Sequence, residues 1–194
     1  MRALILQGSE KPGALSDNVS AILNRELAIH GWQTDLCNLR EFDIAPCMGC
    51  FGCWTRTPGI CTINDYAREI ARLMVKSSLM ALVTPVTFGG YSSELKKALD
   101  RLIPNILPLF TEVNGETHHL PRYDRYPALL AIGTLPQKDQ EAEQIFSHLV
   151  SRNAINTYSP AHASLIIYEH QTPDVMKEKI SGALILMGYS DEWS

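Results

Sequence analysis

Leu79-Met80-Ala81-Leu82-Val83-Thr84-Pro85-Val86-Thr87-Phe88-Gly89-Gly90 decides the fold. Its first six residues form a near-continuous apolar run, the pattern of a strand covered on both sides. Pro85 and the glycines stop the run, and Ser92 or Ser93 starts a helix reaching about Ile103. The Leu95, Leu99, Leu102 stripe on that helix reads as core. Toward the N-terminus the same unit recurs. Leu4-Ile5-Leu6 ends at Gly8-Ser9, and a polar loop over 10–17, broken by Pro12 and Gly13, leads into a helix over about 18–30. Ser16 or Asp17 is the expected cap, with Val19, Ile22, Leu23 and Leu27 at helical spacing. Gly31 ends this helix, and Trp32 to Leu36 reads as a strand.

Further along, Asn64 or Asp65 is expected to cap a helix through about Lys76, with Ile70, Leu73 and Met74 on one face. Ala128-Leu129-Leu130-Ala131-Ile132 is another buried strand, ending at Gly133-Thr134. A helix over about 139–153, a strand near 162–168 and a helix from Pro173 follow. Five strands alternating with five helices imply right-handed crossovers and a doubly wound parallel α/β sheet with helices on both faces. No repeat or interdomain linker interrupts the pattern, so residues 1–194 are expected to form one domain. The stretch from 104 to 126 is long for a connection and is read as a loop with a role of its own.

The chain has 194 residues, 45% apolar and 20% charged, with 17 Lys+Arg against 21 Asp+Glu, a net charge of −4. This excludes a disordered or fibrous chain. It gives no electrostatic reason to expect nucleic acid or an anionic membrane as partner. No apolar run is long enough to cross a bilayer, and the run at Ala3–Leu6 is too short for a signal peptide. A soluble cytoplasmic protein is expected.

Sheets of this kind bind ligands beyond the C-terminal strand ends, at the switch in strand order. Here those ends are Gly8-Ser9, Pro85 to Gly90 and Gly133-Thr134, all small-residue loops that lead into helices. A nucleotide or flavin pocket is the reading. Gly8-Ser9 with Ser16, Asn18 and Ser20 offers hydroxyls and amides at a helix N-terminus, suited to a phosphate. The segment matches neither GxGxxG nor a P-loop, so a terminal phosphate such as that of FMN suits it better than a pyrophosphate. Pro85, Val86, Thr87, Phe88 and Gly89 let the backbone approach a flat ring, with Phe88 or Tyr91 available to meet it. The plainer alternative is a set of ordinary turns and caps.

Five cysteines are present, and four of them, Cys47, Cys50, Cys53 and Cys61, fall in one C-x2-C-x2-C-x7-C segment within a loop over 45–62. An odd count argues against a disulfide framework and for reduced thiols. The two short spacings let one tight loop aim three thiolates at a single centre, as a [4Fe–4S] cluster requires. Gly49 and Gly52 ease that turn. A zinc site and a loop of free thiols stay open as alternatives. Arg56 either balances thiolate charge or points into water. His118 and His119, in the 104–126 segment, are candidates to relay a proton, against the plainer reading of two solvated loop histidines. No side chain stands out as a catalytic acid or base.

Together these segments resemble the flavodoxin-like NAD(P)H-dependent FMN reductases, and within them the iron–sulfur flavoproteins. The resemblance runs from residue 1 to about 135. It rests on the cysteine motif followed by Asn64-Asp65, the Thr84-Pro85-Val86-Thr87-Phe88 turn with Lys96 and Asp100-Arg101, and Gly8-Ser9 with Asn18. It implies a five-stranded sheet of order 2-1-3-4-5 and FMN at the strand ends. It implies NAD(P)H as co-substrate and a homodimer or homotetramer. In the iron–sulfur members a cluster near the flavin moves electrons between a redox carrier protein and a small-molecule acceptor. Val19 stands where a threonine is usual, and Asn64 replaces one of an acidic pair.

Overall fold

The computed structural model describes residues 1–189. Its centre is a five-stranded parallel sheet built from β1 (Arg2–Gln7), β2 (Gln33–Asn38), β3 (Leu79–Pro85), β6 (Ala128–Leu135) and β7 (His162–Tyr168), in the order β2-β1-β3-β6-β7. Apart from a hairpin inserted between β3 and β6, this is the expected 2-1-3-4-5 order. The apolar runs explain it. Every residue of β6 is buried, and so are six of the seven in β3, because both faces are covered.

One face packs α1 (Leu15–Ile29) and α6 (Pro173–Leu186), through Val19, Leu23 and Ile180, onto Ile5, Ala81 and Leu130. The other packs α3 (Ala67–Lys76), α4 (Ser93–Asp100) and α5 (Gln140–Asn156), through Ile70, Leu95 and Phe146, onto Leu6, Leu82 and Leu129. Alternate residues of each strand therefore feed opposite cores. Side-chain caps at Ser92, Asp139 and Thr172 accept the amides of Leu95, Ala142 and Val175.

Two expectations are corrected. Helix α1 begins at Leu15 with Ala14 as its cap, so Ser16 and Asp17 lie inside the first turn and their side chains serve other partners. The 104–126 stretch is a β-hairpin and not a loop: β4 (Ile106–Val113) pairs antiparallel with β5 (Glu116–Pro121). Asn114 and Gly115, at φ 53° and 81°, make its turn. Asn-Gly with both residues at positive φ matches the right-handed twist of a tight hairpin. The remaining cysteine-loop structure is one helical turn, α2 (Gly52–Thr55).

Close approach at the end of β1 demands a glycine. A Cβ at Gly8 would sit 2.7 Å from Leu95 Cβ and 2.8 Å from Ser92 Oγ, at the start of α4. Gly182, inside α6, has nothing within 4 Å of the same position. Gly8→Ala is therefore expected to lower stability by about 1–3 kcal/mol through overpacking. Gly182→Ala should raise it by up to about 1 kcal/mol through helix propensity. Urea unfolding of the two variants beside the parent chain checks both signs.

Candidate functional site

The parallel sheet brings the ends of β1, β3 and β6 together, and the loops expected there meet. After β1, Ser9 is buried and its hydroxyl takes part in a polar cluster built around Asp17. Asp17 Oδ1 accepts from Gln7 Nε2 at 2.8 Å and from Arg40 Nη1 at 2.7 Å, and Oδ2 accepts from the Gly13 amide at 2.6 Å. Arg40 Nη1 also donates to Ser9 Oγ at 2.9 Å and to Gln7 Oε1 at 3.1 Å. Arg40 follows β2, so a guanidinium from the neighbouring strand stands at the N-terminus of α1. That end carries a partial positive charge, and Arg40 stands there paired with the Asp17 carboxylate. The sequence reading missed Arg40, because the pairing of β2 with β1 alone places it there.

Ser16 faces inward from the first turn of α1, and its hydroxyl lies 3.0 Å from that of Thr134. Thr134 and Gly133 lie within β6, opposite Pro85 and Thr84 of β3. A Cβ on Gly133 would meet Val86 Cγ2 at 2.6 Å and Ile166 Cδ1 at 2.5 Å, so Val86 packs flat against bare backbone. Asn18 is not with this group. Two residues on from Ser16, it lies on the far side of α1 and lines a surface cleft with Ile22, Arg25 and Glu169.

Beyond β3 the chain makes a tight turn, with the backbones of Thr87 and Gly90 bonded to each other in both directions at 3.0 and 2.9 Å. Phe88 and Gly89 at its tip have φ of 50° and 75°. A left-handed backbone is a rare outlier for a side chain as bulky as phenylalanine, and Phe88 is fully exposed. Strain of this kind clusters at ligand clamps and switch regions. Tyr91, by contrast, turns inward, where its hydroxyl accepts from Asn153 Nδ2 at 3.0 Å.

The cysteine loop lies on the α3–α4 side of the sheet. Cys47 and Cys50 are exposed, Cys53 is buried and Cys61 lies between. Among the described residues, no three or more His, Cys, Asp or Glu side chains converge as metal ligands do. The thiols nevertheless lie within electrostatic range of one another. Burial raises the Cys53 pKa, and the charges of Cys61, Cys47 and Cys50 add to that rise. The Gly52 amide and then the Thr62 hydroxyl lower that of Cys50. A Cβ on Gly52 would meet Thr62 Cγ2 at 2.5 Å, so any side chain there would require Thr62 to shift. Phe51 and Gly49 take left-handed backbone within the motif. Four thiols on one tight loop, with an amide donor at sulfur, match the donor chemistry of an iron–sulfur site.

The base of this loop is held by Arg101 and Asp65. Both guanidinium ends reach the Asp65 carboxylate at 2.8 Å. Asp65 also accepts the amides of Ala45 at 3.0 Å and Ala67 at 3.1 Å. The second bond keeps part of the capping role expected of Asp65, although α3 itself starts at Ala67. Burial pushes the Asp65 pKa up, but the Arg101 bond and the two amides outweigh it and hold the carboxyl below its ordinary value of 3.8. Arg56 is exposed at the end of α2.

His118 and His119 are on β5, not on a solvated loop. His118 is buried, with Nδ1 3.0 Å from Asn156 Oδ1 and Nε2 3.2 Å from Glu116 Oε2, which ties the hairpin to α5. His119 is packed between Trp54 and Phe110, at centroid distances of 4.9 and 4.7 Å, and its Nδ1 is buried without a partner. Trp54 in turn stacks on Phe51 and donates to Ile106 O at 2.9 Å, so the hairpin leans on the cysteine loop.

Comparison with known proteins matches this arrangement. The family profile described as NADPH-dependent FMN reductase matches residues 1–149. An iron–sulfur flavoprotein of Methanocaldococcus jannaschii is 34% identical over 105 residues, which cover 54% of this chain and 53% of the relative. The chain spans about half the length of the curated relatives it matches. Among solved structures, an NAD(P)H:quinone oxidoreductase from Methanothermobacter marburgensis superposes with a TM-score of 0.70 at 11% identity, covering 96% of this chain and 97% of that one. An FMN-dependent NADH-azoreductase from Bacillus anthracis, in complex with FMN, gives 0.63 at 12% identity, covering 97% and 99%. At such identities the likeness is one of fold. Among the described residues, no helix is long and apolar enough to cross a membrane.

The Asp65 carboxyl gives a pH signature. A carboxylate held low in the native state adds stability that is complete above its unfolded pKa and is lost as pH falls through the native one. Asp65→Asn leaves the Arg101 guanidinium buried and unpaired, and should cost about 3–5 kcal/mol at neutral pH. The gap between parent and variant should then narrow on acidification below the ordinary carboxyl value of 3.8, by at most about 1 kcal/mol at pH 3. Urea unfolding measured from pH 7 to pH 3 reads this directly.

Proposed function

Because the chain belongs to the NADPH-dependent FMN reductase family, we propose that it is an FMN-dependent oxidoreductase. It would move electrons between NAD(P)H or a redox carrier and a small acceptor. The observation that carries the reading is the convergence of three small-residue strand ends beside the positive end of α1. FMN, when bound, accepts hydride or single electrons, and the protein's part is to hold, orient and shield it.

In this reading Gly8, Ser9 and Ser16, with the amides that open α1, hold the phosphate, and Arg40 adds a charge-assisted donor. Pro85, Val86, Thr87, Phe88 and Gly89, facing Gly133 and Thr134, border the flat ring. Gly133 and Gly89 keep that border thin, since a Cβ at Gly89 would meet Ile145 Cγ2 at 2.6 Å. Phe88, exposed on a rigid two-bond turn, is placed to cover a ring edge or a second copy of the chain in a homodimer or homotetramer. His118, locked by Asn156 and Glu116, serves the fold, so no proton relay is assigned to it.

The cysteine loop is the second part of the reading. Cys47, Cys50, Cys53 and Cys61 would hold a [4Fe–4S] cluster, which exchanges single electrons when present. Donor chemistry and the printed names of the relatives support this. A cluster-free reductase and a pure electron carrier are the competing outcomes.

Protein purified anaerobically, with FMN, iron and acid-labile sulfide assayed on one sample, should show one FMN per chain, with about four iron and four sulfide. Flavin without iron would remove the cluster and leave a flavin reductase. Flavin that NAD(P)H fails to reduce would leave a carrier. Absence of flavin even after FMN is added would defeat the proposal. Within it, Ser16→Ala and Arg40→Ala should each weaken FMN binding by roughly tenfold or more, since a hydrogen bond to a charged group contributes about 1.5–3 kcal/mol. Riboflavin, which lacks the phosphate, should bind the variants as it binds the parent, as flavin-fluorescence titration will show.

A further inference from the structure

The cysteine loop leaves the fold at Ala45 and rejoins it at Ile63, and one side chain holds both points. Arg101 Nη1 donates to Ala45 O at 2.7 Å and Nη2 to Ile63 O at 3.3 Å, while both engage Asp65. The guanidinium is buried, and its Nε has no partner. Arg101 directly follows α4, and the other end of that helix is fixed to the strand-end loops. There the Ser92 hydroxyl donates to Gly8 O, and the Ser92 amide donates to Thr84 Oγ1 at 3.0 Å. The eight residues of α4 make a strut about 12 Å long.

From this juxtaposition we infer that Arg101 is the positioning residue of the cysteine loop. It closes both ends of the loop on one guanidinium and ties that closure, through α4, to the loops at the strand ends. A planar fork with five donors can engage a carboxylate and two carbonyls at once, whereas an ammonium cannot hold that geometry. The inference rests on the proposed role of the loop only for its consequence in cofactor retention. Closure itself is a property of the metal-free chain.

The test uses the full chain, reduced and metal-free, and follows alkylation of each thiol by mass spectrometry. Cys37 is buried in β2, but its Sγ lies 3.7 Å from the hydroxyl of Tyr66, next to Asp65, so urea unfolding of the same samples reports on the fold as a whole. Two variants are compared with the parent: Arg101→Lys, and the double variant Arg101→Met with Asp65→Leu. The double variant removes both charges together, so no unpaired ion is left buried, and circular dichroism establishes that it is folded before labelling is read. In both, Cys53 should label at least about tenfold faster, the change that 1.4 kcal/mol makes in an opening equilibrium, in excess of any change in global unfolding free energy. After anaerobic reconstitution with iron and sulfide, both should retain less iron per chain than the parent.

Unchanged Cys53 labelling in the folded double variant would overturn the inference. A loss of global unfolding free energy large enough to account for the faster Cys53 labelling would also overturn it, because the pair would then serve global stability alone. Should the parent itself take up no iron, the cluster reading fails, and the labelling rates still decide whether Arg101 closes the loop.

Discussion

A parallel sheet has to be covered on both faces, and that requirement arranges the rest of this molecule. Its strands carry no polar face to offer to water, so helices bury β1, β3 and β6 from either side. Side chains in the middle of the sheet are then committed to packing: Leu4, Leu6 and Leu82 to one core, Ile5, Ala81 and Val83 to the other. Only the strand ends remain free to meet a ligand. At the C-terminal ends of parallel strands the helices that follow present their N-termini, so the backbone there offers amides and positive potential. Gly8, Ser9, Gly133 and Thr134 are small because two helices and a loop crowd into the same space, as the contacts awaiting a Cβ at Gly8 and Gly133 show.

This explains which parts were legible in the sequence. The strands announce themselves as apolar runs, and their order follows from alternation and handedness. The strand-end loops announce themselves as Gly-Ser and Pro-to-Gly breaks. The hairpin did not, although Asn114-Gly115 is a strong local turn signal. Pro104 and Pro108 made the stretch look like a connection, and β4 exposes Leu109 and Phe110 instead of alternating cleanly. A two-stranded ribbon is marginal alone. This one is held by contacts remote in sequence, from Trp54 to Ile106 and from His118 to Asn156.

The charged residues at the candidate site were hidden for a similar reason. Arg40 meets Asp17 across 23 positions, and Arg101 meets Asp65 across 36. Neither pair has a local spacing that marks it, since each depends on which strands and helices become neighbours. Only the partners' types carried a hint, in Asp65 before a helix and Arg101 after one. The cysteines were legible as a motif, whereas the depth of each thiol was not. Cys53 is buried because α2 turns it inward, and Cys50 is exposed one turn earlier.

Local rules are broken unevenly, and the pattern follows the same division between sheet and strand ends. Three aromatic residues take left-handed backbone: Phe51 in the cysteine loop, Phe88 in the turn after β3, and Tyr158 just after α5. Arg101 keeps an unpartnered donor in the interior beside the same loop. Each feature costs free energy that neither propensity nor packing repays where it stands. They persist because the elements beneath them are over-determined. Phe88 is held by a doubly bonded turn at the end of a strand buried in six of its seven residues, and Arg101 by a carboxylate and two carbonyls. A fold whose core satisfies every face of its sheet has stability to spare at its rim. Phe51, Phe88 and Arg101 lie at that rim, beside the three strand ends and the cysteine loop, whose Cys47 and Cys50 are exposed.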